Sequence, residues 1–113
     1  MANLIGAITK EKVPLHGEFE IVEYTIDNIE LHPTAVNNIY YASGRDSSQP
    51  IEREGYKLLG VVGIIRTDMN PVIYNAETKV INGHTYISYS YYYVGRVNVT
   101  SSSVRFKVLY VKE

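Results

Sequence analysis

SVRFKVLYVK (residues 103–112) alternates without a break: Val104, Phe106, Val108 and Tyr110 on one side, Arg105, Lys107, Leu109 and Val111 on the other. Successive side chains of an extended chain point to opposite faces, so this period of two marks a strand with one apolar face. The opposite face changes from basic to apolar toward its end, and the four even-numbered residues are expected to pack in a core or tight interface. EFEIVEYTI (18–26) repeats the pattern, with Phe19 and Ile21 on one face and Val22, Tyr24 and Ile26 on the other. YKLLGVVGIIR (56–66) is a near-continuous apolar run, as expected of a central strand covered on both sides. Gly60 and Gly63 interrupt it and predict a bulge or a close backbone approach.

Turn signals separate these runs. Asn82-Gly83 between Lys79-Val80-Ile81 and His84-Thr85-Tyr86 is the strongest short hairpin signal in the chain. Asp68-Met69-Asn70-Pro71 ends the apolar run, and Ser101-Ser102-Ser103 reads as a turn before the final strand. GRDSSQPIEREG (44–55) is the longest polar stretch and reads as an exposed loop. HPTAVNNIYYAS (32–43) suits either one helical turn near Pro33 or Thr34, or a strand at Asn38–Ala42. Turn signals every 8–12 residues and the lack of a long helical pattern predict an all-β fold. The expected architecture is an antiparallel β-sandwich, jelly-roll-like, of about seven to nine strands. Residues 1–14 form an N-terminal segment or edge strand and residues 15–113 a single sandwich domain.

Composition narrows the chemistry. The 113 residues carry 11 Lys and Arg against 12 Asp and Glu, a formal charge of −1, and no cysteine. Thiol nucleophiles, disulfides and thiolate metal sites are thereby excluded. The basic residues are scattered rather than gathered into the stripe a phosphate backbone requires, so no nucleic-acid partner is expected. No apolar run reaches 18 residues, so no membrane insertion by a helix is expected. MANLIGAI at the start lacks a basic n-region, and no signal peptide is expected.

His16, His32 and His84 lie far apart and in no metal-ligand spacing, so neither a metal site nor a cofactor is expected. Glu18 and Glu20 share a strand face at a spacing that would serve acid–base chemistry on a glycoside, yet alternating Glu is also what a solvated sheet face looks like. No nucleophile elbow or phosphate-binding glycine loop occurs. The expectation is a protein that is not an enzyme; a small carbohydrate-active hydrolase using Glu18, Glu20 or Asp46 ranks last.

The aromatic run YISYSYYYVG (86–95) holds five of the eleven tyrosines. Alternation places Ile87, Tyr89, Tyr91 and Tyr93 on one face, expected in a core or subunit interface. Tyr86, Ser88, Ser90 and Tyr92 fall on the other. Tyrosine set among serines is the composition of adaptable binding surfaces, so these four are candidate ligand contacts, with Arg45 and Asp46 from the polar stretch.

GYKLLGVVGI (55–64), the Asn-Gly hairpin feeding YISYSYYYVG, and the closing strand SVRFKVLYVK together resemble the receptor-binding head, or knob, domains of bacteriophage tail-fibre and baseplate proteins, including those with an adenovirus-fibre-like head. The resemblance covers most of residues 15–113. It implies a compact sandwich that assembles as a homotrimer and binds a host-surface saccharide or protein. It also implies a phage or prophage protein made in the bacterial cytoplasm and carried at the tail or fibre tip of the virion. Such heads usually follow a shaft, and the first 14 residues are too short for one. The alternative within the same setting is a structural virion component with no ligand, its tyrosine face a subunit contact.

Overall fold

In the computed structural model, the final strand is the axis on which the first sheet is built. The structure describes residues 8–12, 18–67 and 69–113. Among them, eight strands run β1 (Ile8–Lys12), β2 (Phe19–Glu30), β3 (Thr34–Val36), β4 (Ile39–Ser47), β5 (Tyr56–Arg66), β6 (Ile73–Ile81), β7 (His84–Gly95) and β8 (Ser101–Lys112). They form two antiparallel four-stranded sheets, β1-β2-β8-β5 and β3-β4-β7-β6, hereafter sheets A and B. The fold is an all-β sandwich. After β2 the chain passes back and forth between the sheets, and the β2/β8 and β4/β7 pairs nest as in a jelly roll.

Alternation explains the core. Val104, Phe106, Val108 and Tyr110 are fully buried, facing Ile87, Tyr89 and Tyr93 from the other sheet. Val22 and Tyr24 stand opposite Val108 and Phe106 and share their face. The core is unusually rich in phenols, and each needs a partner for its hydroxyl. Tyr24 donates to the Tyr110 oxygen at 2.5 Å, and Tyr110 donates to the Ile51 carbonyl at 2.6 Å. Tyr74 reaches across the sandwich to the Ser102 hydroxyl at 2.6 Å, and Tyr93 closes its own turn on the Val97 carbonyl at 2.6 Å.

Both residues of the Asn82-Gly83 turn have positive φ (51° and 80°), the two-residue type I′ hairpin that matches strand twist. A second hairpin of the same kind, Asn37-Asn38 (φ 52° and 66°), joins β3 to β4. It settles the ambiguous stretch as a strand pair rather than a helical turn, because Asn tolerates the left-handed region twice in succession.

Three sequence expectations are corrected. β5 is not central; it is the edge of sheet A, with Leu59, Val62, Ile64 and Ile65 exposed. Its register against β8 slips by one residue between Leu58 and Gly60 and again between Val61 and Gly63. Each bulge inserts a residue and resets the face, so Leu58, Val61 and Ile64 stand opposite Tyr110, Val108 and Phe106 at a spacing of three. That spacing erased the alternation and made an edge strand read as a fully covered one. The polar stretch 44–55 is not an exposed loop: Gly44–Ser47 belong to β4, while Ile51 is fully buried and Arg53 nearly so. Ser101–Ser103 open β8 rather than forming a turn, because Ser102 is needed inside as the acceptor for Tyr74.

Candidate functional site

Cross-strand register decides which polar residues meet on sheet B. Directly opposed residues share a face, so Arg45, Ser90 and Asn75 form one row on the outer side of β4, β7 and β6. Ser47, Ser88 and Glu77 form the next row. Together Arg45, Asn75, Glu77, Ser88 and Ser90 line a shallow groove of about 250 Å³. Tyr92 stands in the next row beyond Ser90, with Ser43 and Ile73, and Tyr86 in the next row beyond Ser88, opposite Lys79. Tyr92 is exposed and Tyr86 half-buried. Tyr86 and Tyr92 are six positions apart on the strand, about 20 Å at a rise of ~3.3 Å per residue.

Five of the six candidate ligand contacts therefore lie on one surface: Tyr86, Ser88, Ser90, Tyr92 and Arg45. Asp46 does not join them. As the neighbour of Arg45 on the same strand it points to the inner face, opposite Tyr89. The inward set divides too. Ile87, Tyr89 and Tyr93 are buried, while Tyr91 is half-buried and lays its ring over Gly44, its cross-strand partner.

Asp46, Tyr89 and Tyr91 belong to a larger cleft of about 720 Å³ between the sheets. One wall is the end of β2, Thr25–Glu30, and the other is Arg45–Gln49. The β2 wall carries a bulge: the register against β8 slips between Ile26 and Ile29, and Asn28 takes φ 56°. Asp27 and Asn28 leave the ladder there and are exposed. Tyr91 donates to the Glu30 carbonyl at 3.3 Å across the cleft. Burial raises the Tyr89 hydroxyl pKa to about 12, and the neighbouring Asp46 charge adds to the rise. Nothing in the sequence pattern announced this cleft, because its walls meet only when β2 and β4 face each other.

The carboxylates proposed for hydrolysis are dispersed. Glu18 is exposed, whereas Glu20 is turned inside the sandwich and is not on a wet face. Its Oε1 accepts from Arg53 at 3.0 Å and its Oε2 from the Tyr56 hydroxyl at 3.0 Å. The guanidinium lies 3.9 Å from the Tyr56 ring centre and 5.0 Å from that of Tyr110. This assembly holds the 48–55 segment in place and offers no open position for a substrate. The inward turn follows from parity: Glu20 shares its face with Val22 and Tyr24, a signal readable in the sequence that the charge concealed.

His16 lies outside the described residues. His32 sits 3.8 Å from Glu30 at the exposed rim, and His84 pairs with Glu52 at 2.5 Å. Among the described residues no group of three His, Asp or Glu converges for a metal ion, and no helix is long and apolar enough to cross a membrane. No protein-family model, curated protein or solved structure matches the chain.

Proposed function

We propose that the protein is a non-catalytic recognition head that binds a saccharide along the outer face of sheet B, the surface glycan of a bacterial host being the ligand class the phage-head resemblance suggests. The observation that carries this reading is the row Arg45–Ser90–Asn75 lying between the Tyr92 and Tyr86 rings. Sugars present both apolar C–H faces and dense hydroxyls. Aromatic rings flanking a floor of guanidinium, amide, hydroxyl and carboxylate groups complement both. The separation of about 20 Å along β7 between the two tyrosines suits an extended oligosaccharide better than a single sugar.

Assembly as a trimer at a virion tail or fibre tip belongs to the same proposal. Its support is the apolar flank of β5, where Leu59 and Val62 are 46% and 53% exposed. Light scattering tests it directly, and a strictly monomeric species at high micromolar concentration removes the trimer. If the protein is instead a structural virion component, it assembles and binds no glycan.

A glycan array, or binding to intact bacterial cells, tests the recognition surface. Tyr92→Ala should abolish binding while leaving stability within about 0.5 kcal/mol, as expected of an exposed side chain. Undiminished binding by the folded Tyr92→Ala variant overturns the site.

A further inference from the structure

We infer that the free edge of β6 is an interaction surface for a second copy of the chain, added antiparallel about a twofold axis through Thr78. The four edge strands of the sandwich are not alike. β1 and β3 offer five and three residues, and β5 is interrupted by two bulges. Short length and bulges are the usual means by which a sheet discourages strand addition. β6 has neither: its nine residues keep one unbroken register with β7 from Ile73 to Ile81. Among the described residues it pairs with no other strand.

The hairpin fixes which backbone groups this edge presents. A two-residue turn makes Ile81 and His84 a hydrogen-bonded pair, so the N–H and C=O groups of Ile81, Lys79, Glu77 and Asn75 face β7. Those of Val80, Thr78 and Ala76 point the other way. The Ala76 N–H accordingly donates to the Asn75 side-chain oxygen at 3.0 Å, as expected of a donor turned away from its neighbouring strand. Thr78 and Val80 are left to present the outward ladder.

Read in reverse, β6 is complementary to itself. With Thr78 on the axis, Glu77 stands opposite Lys79 of the second copy and Lys79 opposite its Glu77, two opposite-charge pairs between exposed side chains. Both fall at non-hydrogen-bonded positions, where facing Cα atoms approach to about 4.5 Å and side chains are closest. On the inner face Ala76 meets Val80 twice and covers a valine that is 69% exposed. Moving the axis to Glu77 would set two carboxylates face to face at that same close spacing, so charge selects the Thr78 register. Pairing joins the two copies of sheet B into one sheet of eight strands with a continuous outer face. The contact is separate from the trimer proposed on the β5 flank.

The test is sedimentation equilibrium of the full chain from low to high micromolar concentration. The expected result is reversible association in twos, and a species of six chains, two trimers joined, supports it as well. Lys79→Glu should weaken association about tenfold, because both attractive pairs become repulsive. Combining it with Glu77→Lys restores opposite charges and should recover the association. Thr78→Pro removes an N–H that faces away from β7 and leaves the β7 ladder whole, so it should abolish pairing in a folded protein. The charge variants serve if the proline variant fails to fold. A monomer at high micromolar concentration overturns the inference, and so does a trimer alone, which would leave the β5 contact standing. Undiminished association of Lys79→Glu, or no recovery in the double variant, overturns it too.

Discussion

Arg53 approaches Glu20 at 3.0 Å inside the sandwich, with both side chains more than nine-tenths buried and the guanidinium set against the Tyr56 and Tyr110 rings. A buried pair need not add net stability, because desolvation of two ions offsets their attraction. Removing one partner is a different matter. Arg53→Ala leaves the Glu20 carboxylate buried without the Arg53 guanidinium and should cost about 3–5 kcal/mol. Glu20→Gln retains the shape and the Tyr56 contact, and combining Glu20→Gln with Arg53→Met should recover part of the loss. Urea unfolding of the three variants measures this. A double variant no better than Arg53→Ala would show that the arginine matters through packing rather than charge.

The phenol chain predicts alkaline behaviour. Burial raises the Tyr24 and Tyr110 hydroxyl pKa values, and Tyr89 is pushed up to about 12. All three folded-state values lie above the unfolded value of about 10. Stability is therefore undiminished below pH 10 and falls as pH rises from 10 through 12, where the unfolded chain ionises first. Tyrosinate absorbance should show these phenols ionising late and together with loss of the fold. Early ionisation of every tyrosine without unfolding would contradict the buried network. At neutral pH, Tyr110→Phe should cost more than Tyr24→Phe, because it leaves both the Ile51 carbonyl and the Tyr24 hydroxyl without their bonds.

At the acid end the relevant group is Glu52. Its pKa is lowered by the hydrogen bond with His84 and by the Thr85 N–H, which bind its two oxygens at 2.5 and 3.0 Å. A depressed carboxyl contributes stability above its unfolded value, near 4.3–4.5, and loses it as pH falls through the folded value. Thermal unfolding from pH 6 to pH 3 should accordingly show a steeper acid decline for the native chain than for Glu52→Gln. Parallel curves would mean that the contact does not persist in solution.

How far the sequence disclosed all this depended on whether one residue's parity carried the message. β8 was legible because nothing interrupts its alternation, and Asn82-Gly83 because two positive-φ residues leave few alternatives. β5 was not, since Gly60 and Gly63 each shift the face and convert a period of two into a period of three. Glu20 and Arg53 run against the pattern because polar residues are ordinarily outside, and the three-dimensional meeting of Glu20, Arg53 and Tyr56 makes their burial tolerable, while Ile51 is hidden by the polar stretch around it. The outer row of sheet B was half visible: the Tyr and Ser residues of β7 lie together in sequence, while Asn75 and Glu77 come from β6.

Two glycines separate backbone demands from side-chain demands. A Cβ at Gly60 would meet nothing within 4 Å, yet its φ of 148° lies where other residues are strained. Gly60→Ala should therefore cost about 1–3 kcal/mol through the backbone alone, with the core side chains undisturbed. Gly44 is the reverse case. Its φ is unremarkable, but a Cβ would fall 2.2 Å from the Tyr91 hydroxyl oxygen and 2.4 Å from the ring carbon that bears it. Gly44→Ala must push the Tyr91 ring aside and break its bond to the Glu30 carbonyl, at a cost of about 1–2 kcal/mol. Hydrogen exchange distinguishes the two. Gly60→Ala should speed exchange along β5 and β8 and leave the cleft unchanged, whereas Gly44→Ala should loosen the end of β2 near Glu30. The same pattern of faster exchange in both variants would show that Tyr91 does not tie β2 to sheet B.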